Sequence, residues 1–585
     1  MASDVSLGGN IWNLPSVDEN MCVRMAQTAQ IPLSVARILC LRGIDVTQAE
    51  DFLYPKIQKL MPDPSVMKDA DKAAVRIADA IEKKEQIAII GDYDVDGATS
   101  ASVLTRFFRQ VGTEPLIHIP SREEGYGPSD LAFEEFNTGG ATLVLTIDCG
   151  TTAFDVLNRA AENFDVIVID HHEAEARLPQ VFAVVNPKRL DDNNPYTYLQ
   201  YMSAVGVGFM VLVAVNRELR RRGFYRNTQE PDLMQLLDLV ALGTVCDVVP
   251  LLGLNRAYVK QGLKVMAKMQ NTGLKHLMQV LNMQEAPTAY HLGYTIGPRI
   301  NACGRVGDAR LGSRLLCSDN DLEAQMLAEQ FNQFNMERKE IENYVLLEAI
   351  EQVEGQPQEY PMAFAYGENW HQGVVGIVAG KLKERYNMPA FVMSVEPDEV
   401  KGSARSIDGV DLGALIMTAK EKGVITGGGG HTMAAGFSLI KEQIPEFKKF
   451  VGEYISEHLG DEKIAPVLNV DCVLNLSAVN ERLAEDIELL EPYGTGNPEP
   501  LVMLQNVRIC YPQAVGTGGH IRCTLQSAMG NKVSAIAFRV ADTDIGSAML
   551  NAKGDLFDVL GYVHCDSWQG NKRVQFMIND LKRKQ

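Results

Sequence analysis

At 585 residues the chain is too long for a single core, and its 46% hydrophobic and 22% charged composition is that of an ordinary multidomain soluble protein. A net charge of −20 argues against a general polyanion binder. It does not exclude one, because acids gathered around metal ions reverse the local sign and basic residues can still collect on one face. Ten cysteines with no CxxC pair argue against a zinc knuckle or a disulfide framework.

Read in chain order, residues 1–80 form an N-terminal helical segment, with helices expected around Ile31–Leu41 and Ala70–Lys83 and a Pro-bearing stretch between them. No N-terminal segment joins a basic start to an apolar core, so a cytoplasmic protein without membrane association is expected. The longest apolar stretch, Tyr201–Val215, is too short to span a bilayer comfortably and runs into Arg217, Arg220, Arg221 and Arg222. It reads as a buried helix, and the basic run Arg217–Arg226 as its solvated end.

From residue 81 to 320 short apolar runs alternate with helical periods. Strands are expected at Ile87–Gly91, Leu116–Ile119, Leu143–Ile147, Val166–Ile169 and Ala183–Val185, with a helix over Thr99–Val111. This α/β alternation predicts a doubly wound, mainly parallel sheet. Residues 321–352 contain neither Gly nor Pro and keep helical spacing, which predicts one bridging helix over 321–354, roughly 50 Å long.

A smaller α/β domain is expected over 355–460, with strand Met362–Tyr366, helix Gly376–Tyr386, strand Ala390–Met393 and a glycine run, Gly427–Gly430, ahead of His431. After Ile464 the texture becomes β, in segments such as Gly519–Leu525, Lys532–Phe538 and Phe557–His564, with a last turn at Gln569–Lys572. A small C-terminal β-barrel of the oligonucleotide-binding (OB) type over 461–585 follows from this. Its removal is expected to leave the metal ligands untouched while lowering affinity for long strands and flattening the salt dependence of binding.

The run IGDYDVDG spaces Asp92, Asp94 and Asp96 two residues apart after an apolar segment. Alternating residues of an extended segment project to one side, so three anions would crowd together unless hard cations neutralised them. Half of a calcium loop is the competing reading, but the preceding run is strand-like and the loop's twelfth position is not acidic. Asp148 ends LVLTID, Asp170, His171 and His172 end VIVIDHH, and Asp247 follows the largely apolar LVALGTVCD. Four separated segments therefore offer ligands, three at the carboxyl ends of strands, where α/β sheets bind their ligands. Two divalent ions about 3.5–4 Å apart need this many groups.

GDYDVDG, TIDCG, IDHHE and GTVCDVVPL resemble the four successive motifs of the DHH phosphoesterase superfamily. GPRINACGRVGDAR, WHQGVVGIVAGKLKERY, KGSARS and GGGGHTMAAG resemble downstream motifs of the RecJ family, including those of its DHHA1 domain, and EPYGTGNPEP is similar to the opening of that family's OB domain. The resemblance implies that Asp94, Asp96, Asp148, His171 and Asp247 hold two Mn2+ or Mg2+ ions, with Asp148 the bridge. It places Asp92, Asp170 and His172 in or beside the ligand set, and makes Asp94, Asp96, Asp148, His171 and His172 the catalytic group. Many superfamily members carry a ligand histidine where this chain has Ile90, a gap that Asp92 is expected to fill.

By the same resemblance Arg122, Arg299, Asn301 and Arg305 contact a DNA backbone. Lys401, Ser403 and Arg405 supply the donors for a terminal phosphate, a strand-end basic patch being the plainer alternative. His431 and the glycine amides before it would also meet phosphate, although a glycine run alone signals only a turn. Tyr126, Tyr493 and Trp568 are placed to stack on bases, with packing the simpler reading of each. The implied activity is a metal-dependent 5′→3′ exonuclease of single-stranded DNA in recombination and repair. It would act as a monomer beside a single-strand binding protein and a helicase, and a cleft between the DHH and DHHA1 domains would admit one strand. The alternatives are an oligoribonuclease or nucleotide phosphatase acting on small substrates, and a noncatalytic replication scaffold.

Overall fold

The computed structural model describes residues 5–122, 124–355, 357, 359–459, 465–568 and 571–584. The chain divides into two compact units, the first made of residues 1–301, 309–328 and 467–585, the second of 302–308 and 329–466.

The first unit is organised by a five-stranded parallel sheet in the spatial order Leu116–His118, Gln86–Ile90, Ala141–Ile147, Asp165–Ile169, Ala183–Val185. Its central strands are covered on both faces, and Ile87, Ala88, Ile89 and Ile90 have no exposed surface, which is why they read as unbroken apolar runs. The chain leaves Gln86–Ile90 to one side and returns on the other as Ala141–Ile147. The carboxyl ends of these two neighbours thus form the switch point of the sheet. Helix Val95–Gln110 starts four residues earlier than the periodicity suggested, because Asp94 caps it with a hydrogen bond from the Gly97 amide at 3.1 Å. Tyr201–Val215 does lie mostly in a buried helix, Ala204–Arg222. The arginines at its end are paired, Arg217 with Asp63 and Asp71, Arg220 with Glu230, Arg221 with Glu218, and Arg222 with Asp79, Glu82 and Glu218.

The C-terminal strands of the same unit run in the order Cys472–Leu474, Val502–Val515, His520–Gln526, Lys532–Ala537, Asn571–Arg583, Leu556–Trp568. A further pairing between Val502–Val515 and Leu556–Trp568 closes five of them into a barrel. The expected turn at Gln569–Lys572 and the Trp568 side chain lie outside the described residues.

The barrel is not a detachable appendage. Strand Ile11–Asn13 pairs in parallel with Val467–Asn469, and helices Glu19–Ala29, Leu33–Leu41 and Ala49–Leu53 share a core with Leu490. Arg256, fully buried, donates to the carbonyls of Phe52, Leu490, Glu491 and Pro492. A chain cut before the barrel would leave this guanidinium buried without three of its acceptors, a loss on the order of several kcal/mol. Removing residues 461–585 would therefore disturb the compact unit that also holds the metal ligands.

The second unit holds a five-stranded mixed sheet in the order Gly427–His431, Ala434–Leu439, Val400–Arg405, Ala390–Val395, Ala363–Glu368, with Phe364, Phe391, Phe437 and Phe447 in its core. The single helix expected before it is present as Asp321–Glu354, 34 residues long. No helix of the described residues is long and apolar enough to cross a membrane, and all ten cysteines are free thiols.

Candidate metal centre

The three aspartates of DYDVD do not share an extended segment. Asp92 lies just past the strand, Asp94 is the helix cap and Asp96 sits inside the first turn. Helix formation splits them. Asp92 and Asp94 gather with Asp148, whereas Asp96 gathers with His171 and Asp247, the ligand atoms in each group lying within 4.8 Å of one another. Asp148 also groups with His171 and His172, so it stands between the two sets. The side-to-side argument from strand alternation is thereby corrected, although every carboxylate it singled out reaches the centre.

Backbone groups hold these side chains. Asp96 accepts from the amides of Ala204 at 2.6 Å and Val205 at 3.1 Å, at the positive end of helix Ala204–Arg222. Gly243 permits that fit, because a Cβ there would lie 2.8 Å from Asp96 Oδ1 and 2.3 Å from Thr99 Oγ1. Gly97 is required just as strictly, since a Cβ would come within 2.3 Å of the Asp92 carbonyl oxygen. Asp148 adopts a left-handed backbone, φ 64°, at the end of its strand.

His171 Nδ1 lies 3.1 Å from the Met202 carbonyl oxygen, a contact that places the ring proton on Nδ1. Nε2 is then an acceptor, 3.3 Å from Asp148 Oδ1 and 4.0 Å from Asp96 Oδ2. Asp170 takes a supporting place. It accepts from the Thr151, His171 and His172 amides and from His172 Nδ1 at 2.7 Å.

Burial, then mutual repulsion, raises Asp92, Asp96, Asp148 and Asp247 above the ordinary carboxylate range. Burial also lowers His171, to about 4, so its imidazole is neutral at neutral pH. Asp170 goes the other way, since hydrogen bonds from His172 and Thr151 outweigh its burial and hold it below that range. Burial opposes charge on His172 as well, but Asp170 beside it wins and raises its pKa.

Three buried polar atoms here lack a hydrogen-bond partner, namely Asp92 Oδ1, His171 Nε2 and Asp247 Oδ2. Orphaned buried acceptors are costly, and this donor set of carboxylate oxygens and neutral imidazole suits divalent cations. The residues present therefore fit a metal pair. Ile90 is fully buried in its strand, and Asp92 supplies an oxygen beside it.

The phosphate candidates fall in separate places. Arg122 lies over the Tyr93 ring at 4.3 Å. Arg299 Nη1 donates to the Thr295 carbonyl, and Asn301 is half-buried on helix Gly297–Val306. In the second unit Arg305 donates to the Gly373 carbonyl at 2.7 Å. Lys401, Ser403 and Arg405 alternate along one strand, hence on one face of it. Arg405 Nη1 donates to Ser403 Oγ at 3.0 Å and to the Ala404 carbonyl, no carboxylate among the described residues pairs with it, and burial lowers its pKa. Lys401 faces Glu399 at 3.5 Å. His431 is exposed at the end of an edge strand formed by the glycine run, which is not a turn because it pairs along one side with Ala434–Leu439.

Tyr493 is a packing residue that donates to the Ile487 carbonyl at 2.6 Å. Tyr126 is more than packing: its hydroxyl donates to the Asp148 carbonyl at 2.9 Å. No residue pattern signals that contact or the Ala204 and Val205 amides. Also missed was the barrel's outer face. Strands Val502–Val515, His520–Gln526 and Lys532–Ala537 contain no acidic residue, and they present Arg508, Arg522, Lys532 and an exposed Tyr511, with Phe538 exposed just beyond.

A parallel sheet with a carboxylate–histidine centre at its switch point, followed by a second α/β unit, defines a DHH-type phosphoesterase. Consistently, residues 86–244 match the DHH family N-terminal domain, 359–457 the DHHA1 domain and 470–580 the RecJ OB domain. The single-stranded-DNA-specific exonuclease RecJ of Bacillus subtilis is 33% identical over 97% of this chain and 70% of its own length. That of Escherichia coli is 32% identical over 94% and 96%. The crystal structure of RecJ from Thermus thermophilus in complex with Mn2+ superimposes with a TM-score of 0.81 at 27% identity, covering 100% of this chain and 80% of that one. The chain belongs to the RecJ family.

Proposed function

We propose that the protein is a metal-dependent exonuclease that hydrolyses phosphodiester bonds of single-stranded DNA in the 5′→3′ direction, in DNA recombination and repair. The observation that carries this reading is the convergence of three unpartnered buried acceptors on one carboxylate–imidazole centre. Family membership, and relatives named as single-stranded-DNA-specific exonucleases, support it.

Asp92, Asp94 and Asp148 would hold one ion, and Asp96, His171 and Asp247 the other, with Asp148 shared. Mn2+ or Mg2+ bound there supplies charge that activates water and steadies a leaving oxygen. The chain's own groups do the orienting. The helix amides fix Asp96, the Met202 carbonyl fixes the His171 tautomer, and Asp170 accepts from His172 Nδ1 and favours its protonated form. The His172 side chain is 40% exposed, so its ring proton can be donated to a phosphoryl oxygen.

Ser403 and Arg405 would receive a 5′-phosphate, Lys401 standing on the same face. Arg122, Arg299, Asn301 and Arg305 would meet the strand, His431 would meet phosphate from its edge, and the acid-free barrel face would grip the strand further along. A cytoplasmic monomer that works with a single-strand binding protein and a helicase completes the reading. The test is turnover with Mn2+ or Mg2+ on a long 5′-phosphorylated single strand, its duplex and a dinucleotide. Degradation of the long single strand is expected. Preference for the dinucleotide would favour a small-substrate enzyme, and no turnover a scaffold.

A further inference from the structure

Between strand Leu116–His118 and helix Asp130–Thr138 the chain forms an arm that touches the metal centre twice. Arg122 lies over Tyr93, the residue between Asp92 and Asp94. Tyr126 donates to the Asp148 carbonyl at 2.9 Å and stands 3.2 Å from His172 Nε2. Because Asp148 has a left-handed backbone, that hydroxyl steadies the peptide that aims the shared carboxylate. Two glycines loosen the backbone of the arm, since Gly125 and Gly127 both take positive φ and a Cβ on Gly125 would meet nothing within 4 Å.

His118, only 9% exposed, ties the arm to the end of the sheet's edge strand. Its Nδ1 is 3.0 Å from Glu135 Oε2 on the following helix, and its Nε2 is 3.0 Å from Glu124 Oε2 on the arm. The other Glu124 oxygen accepts from the Ser121 amide at 3.1 Å, while Ser121 Oγ accepts from the Glu124 amide at 3.2 Å. This closed box flanks Arg122.

We infer that His118 is a positioning residue for the reaction, which acts through Glu124 to hold Arg122 and Tyr126 at the metal centre without touching substrate. The inference rests on the phosphodiesterase reading above. Misplacing groups at a reacting centre by about 1 Å costs up to roughly a hundredfold in rate.

The test combines a mutant cycle on the full chain with hydrogen exchange. His118→Ala should slow turnover of a single strand by about ten- to a hundredfold, with Mn2+ affinity, measured by titration of the metal alone, unchanged. Tyr126→Phe should cost much less in the His118→Ala background than in the wild type, because residues acting as one unit are not additive. Glu124→Gln, which keeps an acceptor for Ser121 and a polar partner for the ring, should retain activity that Glu124→Ala loses. His118→Gln, which keeps one of the two contacts, serves if the alanine variant does not fold. Additive losses, or an active His118→Ala enzyme, would overturn the inference. If the wild type degrades no single strand, the site reading fails instead. Amide exchange at Ser121 and Glu124 then decides, because faster exchange in His118→Ala supports the tether and unchanged exchange refutes it.

Discussion

The carboxylate centre and the outer face of the barrel belong to one compact unit and are built on opposite principles. At the centre, buried acids repel one another, Asp96 being fixed by backbone amides and the neighbouring His171 by a backbone carbonyl. On the barrel, cations and aromatic rings are exposed on strands without a single acid. A catalytic charge cluster must be pre-organised, so the fold locks it; a surface that grips a flexible strand needs the right sign and little more.

The difference can be broken most severely at Asp148. Asp148→Asn keeps the volume but removes one charge from the shared position, and turnover is expected to fall by roughly three orders of magnitude or more with the fold intact. Near-normal turnover of the folded variant with Mn2+ or Mg2+ would remove the residue from its assigned place.

Next in size is the dependence of stability on metal and pH. Because the folded state raises Asp92, Asp96, Asp148 and Asp247, it binds more protons than the unfolded chain from about pH 4 upward. Their contribution to stability is therefore complete below that pH and is lost as pH rises through the raised values. The metal-free protein should melt at progressively lower temperature as pH increases from acid to neutral, and Mn2+ should raise its Tm more at the higher pH. A Mn2+ shift independent of pH would contradict the cluster.

Arg405 sharpens the comparison from an intermediate position, half-buried and cationic. Arg405→Ala should slow cleavage of 5′-phosphorylated strands by about tenfold, the value of a charge-assisted contact, and 5′-hydroxyl strands much less. Equal slowing would make it a structural or general backbone residue. The smallest effect is expected at the barrel. Arg522→Ala should weaken long-strand binding a few-fold and reduce the salt slope by about 0.7, one single-strand phosphate contact. Binding measured against salt, for long and short strands, decides it. An unchanged slope would leave the face without phosphate contacts.

The centre was legible because metal chemistry restricts residue types. Asp92 to Asp96, Asp148, Asp170 to His172 and Asp247 stand out as acids or imidazoles at the ends of apolar runs. What remained hidden is what backbone atoms do. No residue type marks the Ala204 and Val205 amides as partners for Asp96, and strand alternation could not foresee that a helix starting at Val95 would part Asp96 from Asp92. Architecture was legible where periodicity is strong, as in the parallel strands and in Asp321–Glu354. The glycine run failed as a turn because glycine has no side-chain pattern from which strand pairing can be read. The tie between Phe52 and residues 490–492 stayed out of view because Arg256 makes it through carbonyls, which every residue owns.

The pairing of Ile11–Asn13 with Val467–Asn469 also sets a clock on biosynthesis. At about 5–20 residues per second, a ribosome needs roughly 20 to 90 s between making the first of these strands and the second. Throughout that interval Trp12 waits without the Val470, Leu501, Met503 and Leu560 side chains that later enclose it. Strand Ile11–Asn13 is thus made well before its partner, and an unenclosed tryptophan on an unpaired strand is an aggregation-prone surface that chaperones exist to cover.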